Sequence, residues 1–161
     1  MIQIRFTIEG NHLDIKGNPI PYMRLVRGHW KKGDEKYIEW GDYVRARFSK
    51  TAKLSTQTEA IKSPIPNLIA HNTNGELNAI KDHAGAFNFE KPIDVKKRKI
   101  YLDLKIYWHN KAHGDPDNIF KGIADALIHQ DKNVDGSFAS AIASDGYGRV
   151  EGLLTITDDI T

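Results

Sequence analysis

Cysteine is absent from the 161 residues. Its absence excludes disulfide scaffolds, thiolate nucleophiles and Cys-based zinc sites, and fits a reducing, cytoplasmic setting. Long apolar runs are missing as well, so neither a transmembrane helix nor a signal-peptide core is expected, and no membrane partner. No nucleotide-binding glycine loop occurs, since Gly146-Tyr147-Gly148 is too short for a dinucleotide fingerprint. A large charge excess is lacking too. The 23 Lys and Arg nearly balance 21 Asp and Glu, and a formal charge of +2 does not by itself announce nucleic-acid binding. Nothing is repetitive or of low complexity. What remains suits one folded domain over 1–161, large enough for a core without staples.

The charges are unevenly spread. Residues 21–53 are rich in Lys and Arg, Arg24 and Arg27 among them, and Lys96-Lys97-Arg98-Lys99 forms a second basic run. Acids gather at 115–135 and at the C terminus. A basic first half beside an acidic pocket suits a phosphate-binding surface around a metal centre. On charge alone, a solvated mixed surface explains the pattern equally well.

Ile2, Ile4, Phe6 and Ile8 alternate with polar residues, the mark of a half-buried strand. Trp40, Val44, Phe48 and Ala52 predict a helix over Tyr37–Lys53, with Arg45 and Lys50 on its solvent side. The segment 51–92 is turn-rich and reads as a loop or arm insertion, with a short helix over Glu76–His83. Ile100–Trp108 is the clearest strand. After a second helix, a loop over Gln130–Gly136 leads to a short strand at Ser137–Ala143, a turn at Ser144–Gly148 and a closing strand at Arg149–Thr157. The expected class is α+β, a small mixed sheet packed with helices.

The strand at Ile100–Trp108 runs into Asp115-Pro-Asp-Asn-Ile-Phe-Lys-Gly-Ile-Ala-Asp-Ala-Leu127. Ile119, Phe120, Ile123, Ala124 and Leu127 follow a helical period, which puts Asp117, Lys121 and Asp125 together on the other face. Pro116 fixes the chain between Asp115 and Asp117. The outcome is an anionic corner with one ammonium beside it, and such corners suit Mg²⁺, usually held by one or two carboxylates plus waters and phosphates. A single Asp there would be an ordinary helix cap, and an Asp-Lys-Asp ladder an ordinary solvated face. Three acids crowded together exceed what capping needs, and their repulsion calls for a cation.

The same residues resemble a family signature. Asp115, Asp117, Asn118, Lys121, Asp125, Ala126 and Leu127 stand as in the RusA-like Holliday junction resolvases, and Gly17-Asn-Pro-Ile-Pro-Tyr-Met-Arg24 is similar to that family's early Pro-rich turn. The resemblance covers roughly 98–140, with looser support over 1–50. It implies a single RusA-like domain and a homodimeric, Mg²⁺-dependent endodeoxyribonuclease, with Mn²⁺ as a substitute. It implies cleavage of four-way junction DNA in recombination and repair, often in phages or prophages. Asp115 and Asp117 would hold the metal, Lys121 would act with them on the phosphate, and Asn118 and Asp125 would lie behind, Asp125 paired with Lys121. Arg24, Arg27, Lys96, Lys97, Arg98 and Lys99 are the expected DNA contacts.

One departure stands out. The signature carries a further acid after the helix, commonly the second of two adjacent aspartates, and that position is Gly136 here. Asp135 is the first candidate for the third metal-binding acid, and Asp131 the second. The alternative is a junction-binding protein of the same fold whose catalysis is impaired. His109 and His113 have i, i+4 spacing, but Gly114-Asp115-Pro116 argues against a helical zinc pair.

Overall fold

The computed structural model describes residues 1–21, 32–55, 68–72, 74–79, 92–94, 98–129 and 134–160. Arg24, Arg27, Lys96, Lys97 and Asp131 lie outside these residues, as does most of the expected insertion. In chain order the elements are β1 (Ile2–Glu9), α1 (Lys32–Thr51), β2 (Lys53–Leu54), β3 (Ile69–His71), β4 (Leu77–Ala79), β5 (Arg98–Trp108), α2 (Pro116–Leu127), β6 (Val134–Ile142) and β7 (Arg149–Ile160). All the strands join one mixed sheet in the order β4-β3-β2-β1-β7-β5-β6. The α+β class expected from the sequence is the one observed. No described helix is long and apolar enough to cross a membrane.

The alternations in β1 and β5 turn one face of the sheet toward the helices. Ile2, Ile4, Phe6 and Ile8 are buried on it, as are Ile100, Leu102, Leu104, Ile106 and Trp108. Trp40, Val44 and Phe48 of α1 and Ile119, Ile123 and Leu127 of α2 complete a single core against these strands. Apolar area removed from water at roughly 25 cal/mol per Å² is the main force holding this layer. The opposite face carries Arg5, Tyr101, Asp103 and Lys105, all exposed.

Several expectations are corrected. α1 starts at Lys32, earlier than apolar periodicity indicates, because Lys32-Gly33-Asp34-Glu35 contains no apolar residue to mark the first turn in the sequence. The Glu76–His83 region contains a three-residue strand, β4, paired with β3. Asp135 and Gly136 belong to a strand and not to a loop. β6 pairs with β5 in parallel from Ile100↔Val134 to Trp108↔Ile142 without a break. Long-range pairing thus overrides the turn preference of the Asp-Gly dipeptide. The predicted turn before β7 is present, with Gly146 at φ 74°, a conformation that suits glycine.

Candidate metal and phosphate site

β5, α2 and β6 form a β-α-β unit, and the candidate corner sits where β5 ends and α2 begins. Asp115 is the N-cap of α2, in extended conformation (φ −70°, ψ 126°), and its side chain accepts the Asp117 backbone N–H at 3.0 Å. Pro116 occupies the first turn, where its missing N–H costs nothing. The capping bond and the proline together fix Asp115 relative to Asp117. Lys121 Nζ lies 3.3 Å from Asp117 Oδ2, with both side chains about half exposed (56% and 52%). An exposed i, i+4 pair of this kind adds little stability, so its consequence is placement: an ammonium beside an accessible carboxylate.

The approach to the corner is held by the N-terminal turn. Asn18 Nδ2 donates to Asn110 Oδ1 at 3.2 Å and to the Ala112 carbonyl at 3.1 Å, while Asn18 Oδ1 accepts the His109 N–H. Asn11 Nδ2 in turn donates to the Asn18 carbonyl at 2.6 Å. Pro21 packs on Gly114, where an added Cβ would meet the proline ring at 3.2 Å. His113 stacks on Trp108 with ring centroids 4.2 Å apart, which makes it a packing residue of the loop. Gly17–Pro21 therefore braces the segment that delivers Asp115. Its Pro-rich pattern was visible in the sequence, but the roles of Asn11 and Asn18 carried no sequence signal, because a single Asn near a turn is commonplace.

Other expected members are placed elsewhere. Lys121 pairs with Asp117, and Asp125 instead accepts the Tyr37 hydroxyl at 3.0 Å. Asp125 lies eight residues beyond Asp117, about 12 Å along the helix. It therefore ties α2 to α1 in place of backing the corner. Arg45, expected on a solvated face, also reaches α2. Its guanidinium donates to the Ala126 carbonyl at 3.1 Å, in the last turn of the helix, where a cation complements the helix dipole. Asn118 is partly buried in the first turn of α2, beside the corner.

Asp135 stands at the far end of the unit. It pairs in register with Tyr101, seven residues before Trp108, or about 23 Å along the strand. It also shares the outer sheet face with Tyr101, whereas α2 covers the inner one. Within one chain Asp135 is therefore not brought together with Asp115 and Asp117. Gly136 admits no side chain, because a Cβ there would fall 1.8 Å from the Leu102 carbonyl oxygen. Among the described residues no three His, Cys, Asp or Glu side chains gather to hold a metal ion. The donor set at the corner is two carboxylates, which fits Mg²⁺ completed by water and phosphate oxygens.

Of the expected DNA contacts that are described, Arg98 is only 4% exposed, its guanidinium 3.5 Å from the Thr157 carbonyl, so it points into the protein. Lys99 lies over the Tyr101 ring at 5.4 Å. A different set of cations lines an open surface. Arg5, Lys50 and Lys53 line an open cleft of about 900 Å³ with Thr7, Ser55 and Glu151. The two acids along it, Glu9 and Glu151, are 3.7 Å from Arg47 and 3.8 Å from Arg149.

No protein-family model matches this chain, and no curated protein sequence matches it.

Proposed function

We propose that this protein is a Mg²⁺-dependent endonuclease that cleaves four-way junction DNA as a homodimer. The observation that carries the reading is the Asp115–Pro116–Asp117 corner, rigidly capped, half open to solvent and joined by Lys121. The resemblance of this stretch to RusA-like resolvases supports the choice of substrate. Asp115 and Asp117 would hold the metal, which when bound lowers the pKa of a water and relieves charge on the phosphate. Lys121, already drawn toward Asp117, balances the paired carboxylates in the free protein and donates to a phosphate oxygen when DNA arrives. The α2 N terminus adds a partial positive charge at the same place. Arg5, Lys50 and Lys53 offer a separate track for the phosphate backbone of an arm.

A second reading, a junction-binding protein that does not cut, is favoured by one feature: the third acid of the signature is replaced by Gly136, and Asp135 is about 23 Å away along the strand on the other face. One experiment separates the two. A labelled four-way junction and a linear duplex are each incubated with the protein in Mg²⁺ and in EDTA. Symmetric nicks in the junction, dependent on Mg²⁺, support the nuclease. Tight junction binding without nicks supports the binder.

A further inference from the structure

The loop that follows β1 and the turn between β6 and β7 are bound to each other. The Gly10 N–H donates to the Gly148 carbonyl at 2.8 Å, and the Gly148 N–H to the Lys16 carbonyl at 2.9 Å. A Cβ on Gly148 would fall 2.1 Å from the Gly17 carbonyl oxygen, so the two segments touch backbone to backbone. Glu9, Ile15, Lys16, Asp145, Tyr147 and Arg149 line a cavity of about 510 Å³ there, a volume in the range of small-ligand sites. Tyr147 stands 44% exposed at it, on a turn held from several sides. Its N–H donates to Asp145 Oδ1 at 3.2 Å, its carbonyl accepts the Arg149 guanidinium at 3.1 Å, and His109 Nδ1 donates to the Gly146 carbonyl. An exposed ring on so fixed a turn is already oriented for a ligand.

The charges around the cavity are mostly spoken for. Both Asp145 oxygens lie 3.0 Å from the Arg149 guanidinium, which also sits over the Tyr107 ring at 4.3 Å. Glu9 lies 3.7 Å from Arg47. Lys16 has no carboxylate partner among the described residues, and its Nζ is 4.7 Å from the Tyr147 ring centroid. What the cavity offers a ligand is one uncompensated ammonium, one accessible aromatic ring and the apolar side chain of Ile15, 69% exposed. We propose that this cavity holds an unpaired nucleotide of a DNA strand, with its base against Tyr147 and Ile15 and its phosphate at Lys16. A flat ring carrying an anion is the ligand that matches these groups: the ring stacks on an aromatic and the phosphate takes a lysine as a point charge. Both carboxylates are engaged by arginines, so neither is left to read a base edge, and the site accepts any base.

The cavity's role rests on the same reading of the protein as DNA-binding, though not on its cutting. Lys16 and Pro21 are five residues apart, at most about 18 Å of chain, and Pro21 packs on Gly114, the residue before Asp115. A strand with one phosphate at the Asp115–Asp117 corner therefore has the cavity within a few nucleotides. A base held there fixes the strand against the corner, which positions one phosphate for attack without reading its sequence.

The test is made in EDTA, where no metal-dependent cutting occurs. By fluorescence anisotropy, a short labelled oligothymidylate should bind the protein more tightly than an abasic strand of the same length. Tyr147→Ala should weaken that binding by about 5- to 150-fold, the loss of one base–aromatic stack, and Tyr147→Trp should retain it. Lys16→Ala should flatten the plot of log K against log salt by about 0.7. Both side chains are exposed, so the variants should fold, which circular dichroism verifies. On the wild type, a strand carrying 5-iododeoxyuridine should attach to Tyr147 on irradiation, as mapped by peptide mass. No binding by the wild type, equal binding of the abasic strand, wild-type affinity in Tyr147→Ala, or attachment only at other residues overturns the proposal. Failure here is distinct from failure of the nuclease reading. Mg²⁺-dependent nicking of the junction alongside any of those results keeps the nuclease and removes the pocket. Base-dependent binding through Tyr147 without nicking keeps the pocket and removes the nuclease.

Discussion

The departure from the family signature at Gly136 gives a sharp stability test. Adding any Cβ there brings it to 1.8 Å from the Leu102 carbonyl oxygen, whereas real Cβ contacts stay beyond 3.0 Å. The difference, 3.0 less 1.8, is 1.2 Å, and the obstacle is backbone, so β6 itself must retreat from β5. A shift of that size stretches the neighbouring ladder bonds past useful length. Two lost bonds at about 0.5–1.5 kcal/mol each, with about 1–3 kcal/mol for overpacking, give about 2–6 kcal/mol for Gly136→Ala. Gly136→Asp should lose about as much, because the clash arises at Cβ. For a chain of this length that corresponds to roughly 4–24 °C in Tm. Urea and thermal melts followed by circular dichroism measure it directly. The obvious repair of the signature should therefore weaken the fold and add no activity. Wild-type stability in Gly136→Ala, or faster cleavage by Gly136→Asp, would refute the β5–β6 register on which the placement of Asp135 depends.

Asp135→Asn should leave cleavage and its Mg²⁺ requirement unchanged, since Asp135 lies on the outer face beside Tyr101; a shifted Mg²⁺ titration would contradict that. Tyr37→Phe, which removes the bond to Asp125, should cost about 1 kcal/mol in denaturant melts without altering the cleavage rate of the folded protein. Arg45→Ala should cost about 1–3 kcal/mol, because the Ala126 carbonyl loses a charged donor; a silent substitution would remove the α1–α2 clamp from the account. Replacing Arg5, Lys50 and Lys53 with alanine should flatten the plot of log K against log salt by up to about 2.7, three phosphate contacts at about 0.9 each. An unchanged slope would place the DNA elsewhere.

Periodicity made much of the fold legible. The alternations of Ile2–Ile8 and Ile100–Trp108 and the helical spacing after Asn118 correspond to β1, β5 and α2, because burial of one face leaves a repeat in the chain. β6 was harder to see. It has no buried face to impose alternation, and its Asp135-Gly136 pair reads locally as a turn; only its partner β5 makes it a strand. The corner itself was visible, since Asp115 through Lys121 are local in sequence and a helix fixes their spacing. The partners of Asp125 and Arg45 were not, because Tyr37 and Ala126 are 88 and 81 residues away from them. The basic run at 96–99 shows the limit of charge counting: Arg98 belongs to the strand alternation and turns inward, while Arg5, which no run announced, lines the basic cleft.

The central claim is that Asp115 and Asp117 form a metal-dependent cutting centre, and amide substitution tests it most directly. Asn caps a helix about as well as Asp, so Asp115→Asn and Asp117→Asn should fold normally, and circular dichroism verifies this. On a labelled four-way junction in Mg²⁺, wild type should nick two strands symmetrically, and both variants should bind the junction at least as tightly without cutting it. Cleavage at the wild-type rate by either variant, or wild-type cleavage that persists in EDTA, would contradict the assignment.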